Sequence, residues 1–167
     1  MTDYVQRLRT IVGGEELLQI PSVSIALRDA EGRVLMARHV EGGVWLLPGG
    51  AIEPAEVPAD AAVREMFEET GLVVRVTGLV GVFGGPEFIV QYRNGHRTSY
   101  VTATFEAVLA AGAFAPDPSE VLELRFVSER EAVELPKAAW VAEVLEAVFH
   151  GQRTDGFRAA SWTPLTR

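Results

Sequence analysis

Gly50-Ala51-Ile52-Glu53-Pro54-Ala55-Glu56-Val57-Pro58-Ala59-Asp60-Ala61-Ala62-Val63-Arg64-Glu65-Met66-Phe67-Glu68-Glu69-Thr70-Gly71-Leu72 runs from a glycine turn into a helix that carries three glutamates. Pro58 suits a first helical position, Asp60 puts a favourable charge in the first turn, and Gly71 is a natural C-terminal stop. A helix over 58–70 is predicted, with an imperfect cap, because Val57 has no side-chain oxygen to accept from the first-turn amides. At roughly 100° per residue, Glu65, Glu68 and Glu69 lie at about 0°, 300° and 40°, so the three carboxylates share a face. Val63, Met66, Phe67 and Thr70 lie roughly opposite and are expected to anchor the helix on a sheet, leaving the acidic face turned away from the core.

Strand signals flank this helix on both sides. The apolar runs 21–27 and 34–37 are joined by Asp29-Ala30-Glu31-Gly32-Arg33 and predict a hairpin, and a short strand at 45–47 ends in Pro48-Gly49-Gly50. Beyond the helix, 72–83, 88–92 and 100–108 have strand character, the last two joined through Asn94-Gly95, a strong hairpin signal. A last strand is expected over 120–127. Ser128 and Glu131 then have capping-box spacing, and outer helices are predicted over 4–12 and 138–149. The pattern implies a mixed α+β architecture in which a mixed central sheet is sandwiched between helices, with one domain over 1–167, its core at about 20–150 and a polar tail at 151–167.

The composition narrows the chemistry. With 15 Lys and Arg against 23 Asp and Glu, the formal charge of −8 opposes binding to nucleic acid through its phosphates. An anionic ligand would need a local counter-charge, and a divalent cation can supply one. The absence of cysteine excludes disulfides, thiolate metal sites and a cysteine nucleophile. No apolar stretch approaches the roughly 18–20 residues of a membrane span, and residues 1–10 do not resemble a leader, so no membrane partner and a cytoplasmic location are expected.

Three glutamates one turn apart repel one another and raise one another's pKa values, whereas hard oxygen ligands grouped around one point suit Mg2+ or Mn2+. A solvated acidic helix face would show the same three residues, so the glutamates alone leave both readings open. Their setting adds Gly49-Gly50, which lets backbone approach a ligand, Glu56 before the helix, and Arg64 beside Glu65 but turned 100° around the axis.

Seven fixed and two apolar positions over the 23 residues from Gly50 to Leu72 match the box that defines the Nudix hydrolase superfamily, and residues 34–38 and 45–50 resemble its lead-in strand and loop. The chain thus resembles MutT-like and ADP-ribose pyrophosphatase-like enzymes. The resemblance implies an α/β/α sandwich and a Mg2+-dependent hydrolase, with Mn2+ as a possible substitute, that cuts a phosphoanhydride in a nucleoside-diphosphate-linked substrate. It implies Glu65, Glu68 and Glu69 as metal ligands with Gly50 adding backbone, Glu69 or Glu65 able to orient or deprotonate water, and Arg64 paired with Glu56.

A further base from a loop outside the box is expected at Glu120, with Glu123 second. Arg38 and Glu53 are candidates for substrate contact. Trp45, Phe83 and His96 have ordinary roles as the better reading, two in the core and one in a hairpin. Pro86, fourteen residues past Leu72, resembles a proline of ADP-ribose-type enzymes, so ADP-ribose or a nucleotide sugar is favoured over a nucleoside triphosphate. A non-catalytic nucleotide sensor would be signalled by a lost box carboxylate, and none is lost. Ala55, where a glycine is usual, and Val57-Pro58 depart from the family pattern. Apolar residues in the first helix and the Trp162-containing tail suggest a homodimer.

Overall fold

The computed structural model of the chain describes residues 3–151. In order it contains α1 (Asp3–Val12), β1 (Leu17–Leu27), β2 (Val34–His39), β3 (Trp45–Leu46), α2 (Pro58–Thr70), β4 (Leu72–Phe83), a 3-10 turn (Pro86–Phe88), β5 (Ile89–Gln91), β6 (Arg97–Gly112), β7 (Val121–Val127), α3 (Glu129–Glu134) and α4 (Ala139–His150). The tail residues Phe157 and Trp162, and with them the suggestion that the tail docks on a second copy, lie outside the described residues.

The architecture is mixed α+β, as expected, but its strands form two sheets. In the first, β1 runs parallel to β6, from Leu17 opposite Arg97 to Leu27 opposite Ala107, while β4 and β5 pair antiparallel with β6. The second is antiparallel in the order β3-β2-β7. The hairpin expected between β1 and β2 does not form. The Asp29 carboxylate accepts from the amides of Glu31 (3.1 Å) and Arg33 (2.9 Å) and turns the chain, but only Arg28 and Val34 bridge before the strands part into different sheets. Residues 22–27 of β1 and 34–37 of β2 are continuously buried, which suits segments covered on both faces rather than a hairpin with one wet side.

Alternation along β1 and β2 divides the interior in two. Val23, Ile25, Leu27 and Leu35 pack with Ala61, Ala62 and Met66 of α2, while Ala26, Val34 and Met36 face a second core with Trp45, Phe88 and α4. Met66 is fully buried, and a side chain of that size removed from water contributes about 2 kcal/mol. The helix ends where glycine allows it: Gly71 sits at φ 76° and donates its N–H to the Phe67 carbonyl at 2.8 Å. Ser128 and Glu131 form the expected capping box. The first helix docks on its own chain, with Val5 buried and Leu8 packed beside Ile20.

The faces of α2 differ from the helical-wheel expectation. Its buried side comprises Ala61, Ala62, Glu65, Met66, Glu69 and Thr70, while Phe67 is 55% exposed. Two of the three glutamates therefore face inward. A loop that covers them, built from residues distant in sequence, accounts for the difference.

Candidate functional site

That loop is residues 47–52, which lie along the outer edge of β1 like an added strand. The Val23 amide donates to the Gly50 carbonyl, the Ile25 amide to Pro48 (both 2.9 Å), and the Ile52 amide to Pro21 at 3.0 Å. The loop crosses α2 so closely that a Cβ on Gly50 would lie 2.5 Å from the Glu65 carboxyl carbon, so any larger residue would push that carboxylate from its place. The Gly49 N–H donates to Glu69 Oε2 at 3.1 Å. The chain then reaches Ala55 at φ 67°, a left-handed conformation that glycine adopts without strain and alanine does not.

Arg64 ties this loop to the helix. Its Nε and Nη2 fork onto the Glu56 carboxylate at 2.8 and 2.9 Å, and Nη2 also donates to the Ala51 carbonyl at 3.0 Å. Nη1 donates to Glu65 at 2.7 Å and to Glu68 at 3.0 Å. The guanidinium holds the Glu56 carboxyl below its ordinary range, and Glu56 in turn raises the arginine.

Burial dominates at the other two carboxyls. Glu65 is 6% exposed and its pKa is pushed up by desolvation, against the pull of Arg64. Glu69, 2% exposed, is pushed well above the carboxylate range by desolvation, with the neighbouring Glu65, Glu120 and Glu68 adding to the rise and the Gly49 N–H opposing it. Glu68 stands half exposed at the rim. His39, at the end of β2, has a buried Nε2 with no hydrogen-bond partner among the described residues, 3.6 Å from Glu69 Oε1. Burial lowers the His39 pKa, and the Glu120 charge partly offsets that.

These groups line one end of a cleft of about 820 Å³, and Glu120, in the turn before β7, lines it with them. Among the described residues no three Asp, Glu or His side chains already form a metal cage, because Arg64 draws oxygens of both Glu65 and Glu68 toward itself. The donor set nevertheless fits a hard divalent cation. It is all oxygen, two of its carboxylates are buried at a cost that a cation would offset, and the glycine cradle gives access to them.

Arg38 and Glu53 are not brought into the cleft. Arg38 reaches across to Glu123 on β7 at 3.3 Å, which also removes Glu123 from the cleft, and the Glu53 amide is held by the Glu56 carboxylate at 2.9 Å within the loop. Trp45 is buried under the Arg125 guanidinium, 4.9 Å from the ring centre, and Phe83 stacks near Phe88. His96 contacts Asn94 within its hairpin at 3.2 Å. Pro86 opens the turn that delivers Phe88 to the cleft wall but does not line the cleft itself. His39, Tyr92 and Tyr100 were not anticipated. A lone strand histidine carries no signal, and the two tyrosines meet only through the register of β5 on β6.

Parts of the chain match known proteins. The MutT-like protein of Streptomyces ambofaciens is 45% identical over 65 residues, covering 37% of this chain and 42% of that protein. A putative 8-oxo-dGTP diphosphatase of Bacillus subtilis (strain 168) is 36% identical over 64 residues, covering 38% and 42%. The matches thus span about two fifths of the length of these curated relatives. The crystal structure of the MutT protein from Methanosarcina mazei Go1 superposes with a TM-score of 0.69 at 23% identity, covering 83% of this chain and 98% of that one, which shows a shared fold. A model of the NUDIX domain matches residues 18–148, a span that holds the glycine loop, the arginine clamp and the glutamate helix alike, and the chain is therefore a member of the NUDIX family.

Proposed function

We propose that this protein hydrolyses a phosphoanhydride bond in a nucleoside-diphosphate-linked substrate, ADP-ribose or a nucleotide sugar, with Mg2+ as cofactor and Mn2+ able to replace it. The observation that carries the reading is the pair Glu65 and Glu69, buried against a glycine loop in one cleft with Glu120 and Glu68. Burying two carboxylates side by side, with one arginine shared among Glu56, Glu65 and Glu68, costs stability that a bound cation would offset.

When bound, the cation would supply charge neutralisation on phosphoryl oxygens and would lower the pKa of water. Glu65, Glu68 and Glu69 would hold it. The Gly50 carbonyl would add a ligand through the lone pair that Val23 leaves unused. Glu120, on a separate element facing the same space, would orient the attacking water and take its proton. Arg64 would keep the loop rigid through Glu56. A cleft of about 820 Å³ falls within the usual range for small-molecule sites, roughly 300–1,000 Å³.

A second reading, hydrolysis of a nucleoside triphosphate, is favoured by the name of the Bacillus subtilis relative. A Mg2+-dependent screen over ADP-ribose, nucleotide sugars, dinucleoside polyphosphates and nucleoside triphosphates, with identification of products, separates the two. Glu69→Gln and Glu68→Gln should lower kcat by about a hundredfold or more while leaving the fold intact. Near-full activity in either purified variant would remove that residue from the machinery.

A further inference from the structure

The cleft wall is built partly from residues that precede the NUDIX match, which begins at residue 18. There Val5 of α1 lines the cleft together with Tyr92 and Tyr100. Val5 is buried against Ile20 and Ala51, and Ala51 follows Gly50 directly, so α1 rests on the same loop that cradles Glu65.

Arg9 lies four residues on, on the same helical face. Although it is 7% exposed, its Nη1 donates to the Glu16 carbonyl at 2.7 Å, and its Nη2 donates to Thr98 Oγ1 at 3.1 Å and to the Arg97 carbonyl. It staples the last turn of α1 both to the approach to β1 and to the start of β6. Without it three carbonyls, that of Gly13 included, and a buried hydroxyl would lose a donor.

The chemistry of this wall is mixed and carries little net charge. The Tyr92 and Tyr100 hydroxyls hydrogen-bond to each other, with lone pairs remaining on both oxygens. Glu41 and Arg93 also line the cleft and bring opposite charges, and the Arg93 amide donates to the Glu41 carboxylate at 3.2 Å. The partly exposed Tyr92 and Tyr100 rings, backed by the buried Val5, suit a ring, and their hydroxyls suit a sugar hydroxyl or a ring nitrogen.

We propose that α1 is the specificity element of the cleft: Tyr92 and Tyr100 receive the uncharged ring-bearing end of the substrate, the buried Val5 backs them and sets the shape of the wall, and Arg9 is the positioning residue that keeps this wall in place. The proposal rests on the reading of the carboxylate end as the reaction centre, and it adds which part of the chain chooses the substrate.

The test is steady-state kinetics on ADP-ribose, UDP-glucose and GTP for the wild type, Val5→Trp, Tyr92→Phe and Arg9→Met. Mn2+ affinity is measured separately by paramagnetic resonance without substrate, and melting temperatures are recorded. For each substrate that the wild type hydrolyses, Val5→Trp should raise KM about tenfold or more, with kcat within about twofold and Mn2+ affinity unchanged. Tyr92→Phe, which keeps the ring, should shift KM in the same direction by about threefold and carries the test if Val5→Trp fails to fold.

Arg9→Met should raise KM with kcat preserved. A lower melting temperature with KM unchanged would make Arg9 purely structural and overturn its part. Competition by AMP and by glucose 1-phosphate tells which ring sits at the wall, since only the monophosphate carrying that ring should lose affinity in Val5→Trp. Unchanged KM in both wall variants would overturn the proposal while leaving the reaction centre standing. A wild type that neither hydrolyses nor binds any of these compounds would overturn both.

Discussion

Glu69 has almost no contact with solvent, and its raised pKa makes the folded state take up a proton more readily than the unfolded chain. By linkage its favourable contribution is complete below the unfolded carboxylate pKa and disappears as pH rises through the higher folded value. The metal-free protein should therefore melt at falling temperatures as pH rises above the ordinary carboxylate range, with Glu65 acting in the same sense. Glu69→Gln should flatten that slope and melt higher than wild type near neutrality, as read by thermal melts in EDTA; an unchanged slope would count against the buried charge. Arg64→Ala should cost about 2 kcal/mol in urea denaturation, less than a fully buried ion pair because the guanidinium is partly exposed. It should also loosen residues 51–56 against α2. The grouping of the three glutamates on one sector of α2 was legible from spacing alone. Their burial was not, because the loop that covers them is held by Pro21, Val23 and Ile25, about 25 residues upstream. His39 was silent for a similar reason: its neighbour Glu69 lies thirty residues away along the chain.

At the scale of elements, α2 matches its predicted span, since Pro58 and Gly71 act through local backbone preferences that a linear sequence displays. The same local logic marks two weak points at its entry. Val57 occupies the N-cap with extended backbone, no side-chain hydrogen bond and a half-exposed side chain, so Val57→Ser should stabilise the protein by about 1 kcal/mol. Ala55→Gly should relieve the left-handed backbone by a similar amount, about 1 kcal/mol. Chemical denaturation checks both, and a loss of stability in either would mean that its side chain makes contacts outweighing the backbone effect. Strand partners were less legible than strand positions. The segments of β1 and β2 were found, yet their pairing was taken as local, whereas β1 pairs with β6 and β2 with β7, choices fixed by contacts distant in sequence.

For the whole molecule, a cation held between loop and helix would tie residues 47–52 to α2. Mg2+ at about ten times its dissociation constant should stabilise the fold by about 1.4 kcal/mol, a shift visible as a higher melting temperature that Glu69→Gln abolishes. No response to millimolar Mg2+ or Mn2+ would argue against a metal site. Among the described residues no helix is long and apolar enough to cross a membrane. The parallel pairing of β1 with β6 also governs how the molecule comes into being. Ser24 and Thr104 share a 2.7 Å hydrogen bond although 80 residues separate them, and the glutamate helix lies entirely inside the loop that this contact closes. Closing so long a loop is slow and costs chain entropy before it is rewarded. During synthesis the nascent chain can therefore form α2 early, but the cleft acquires its walls only after β6, which carries Tyr100 and Thr102, has emerged from the ribosome.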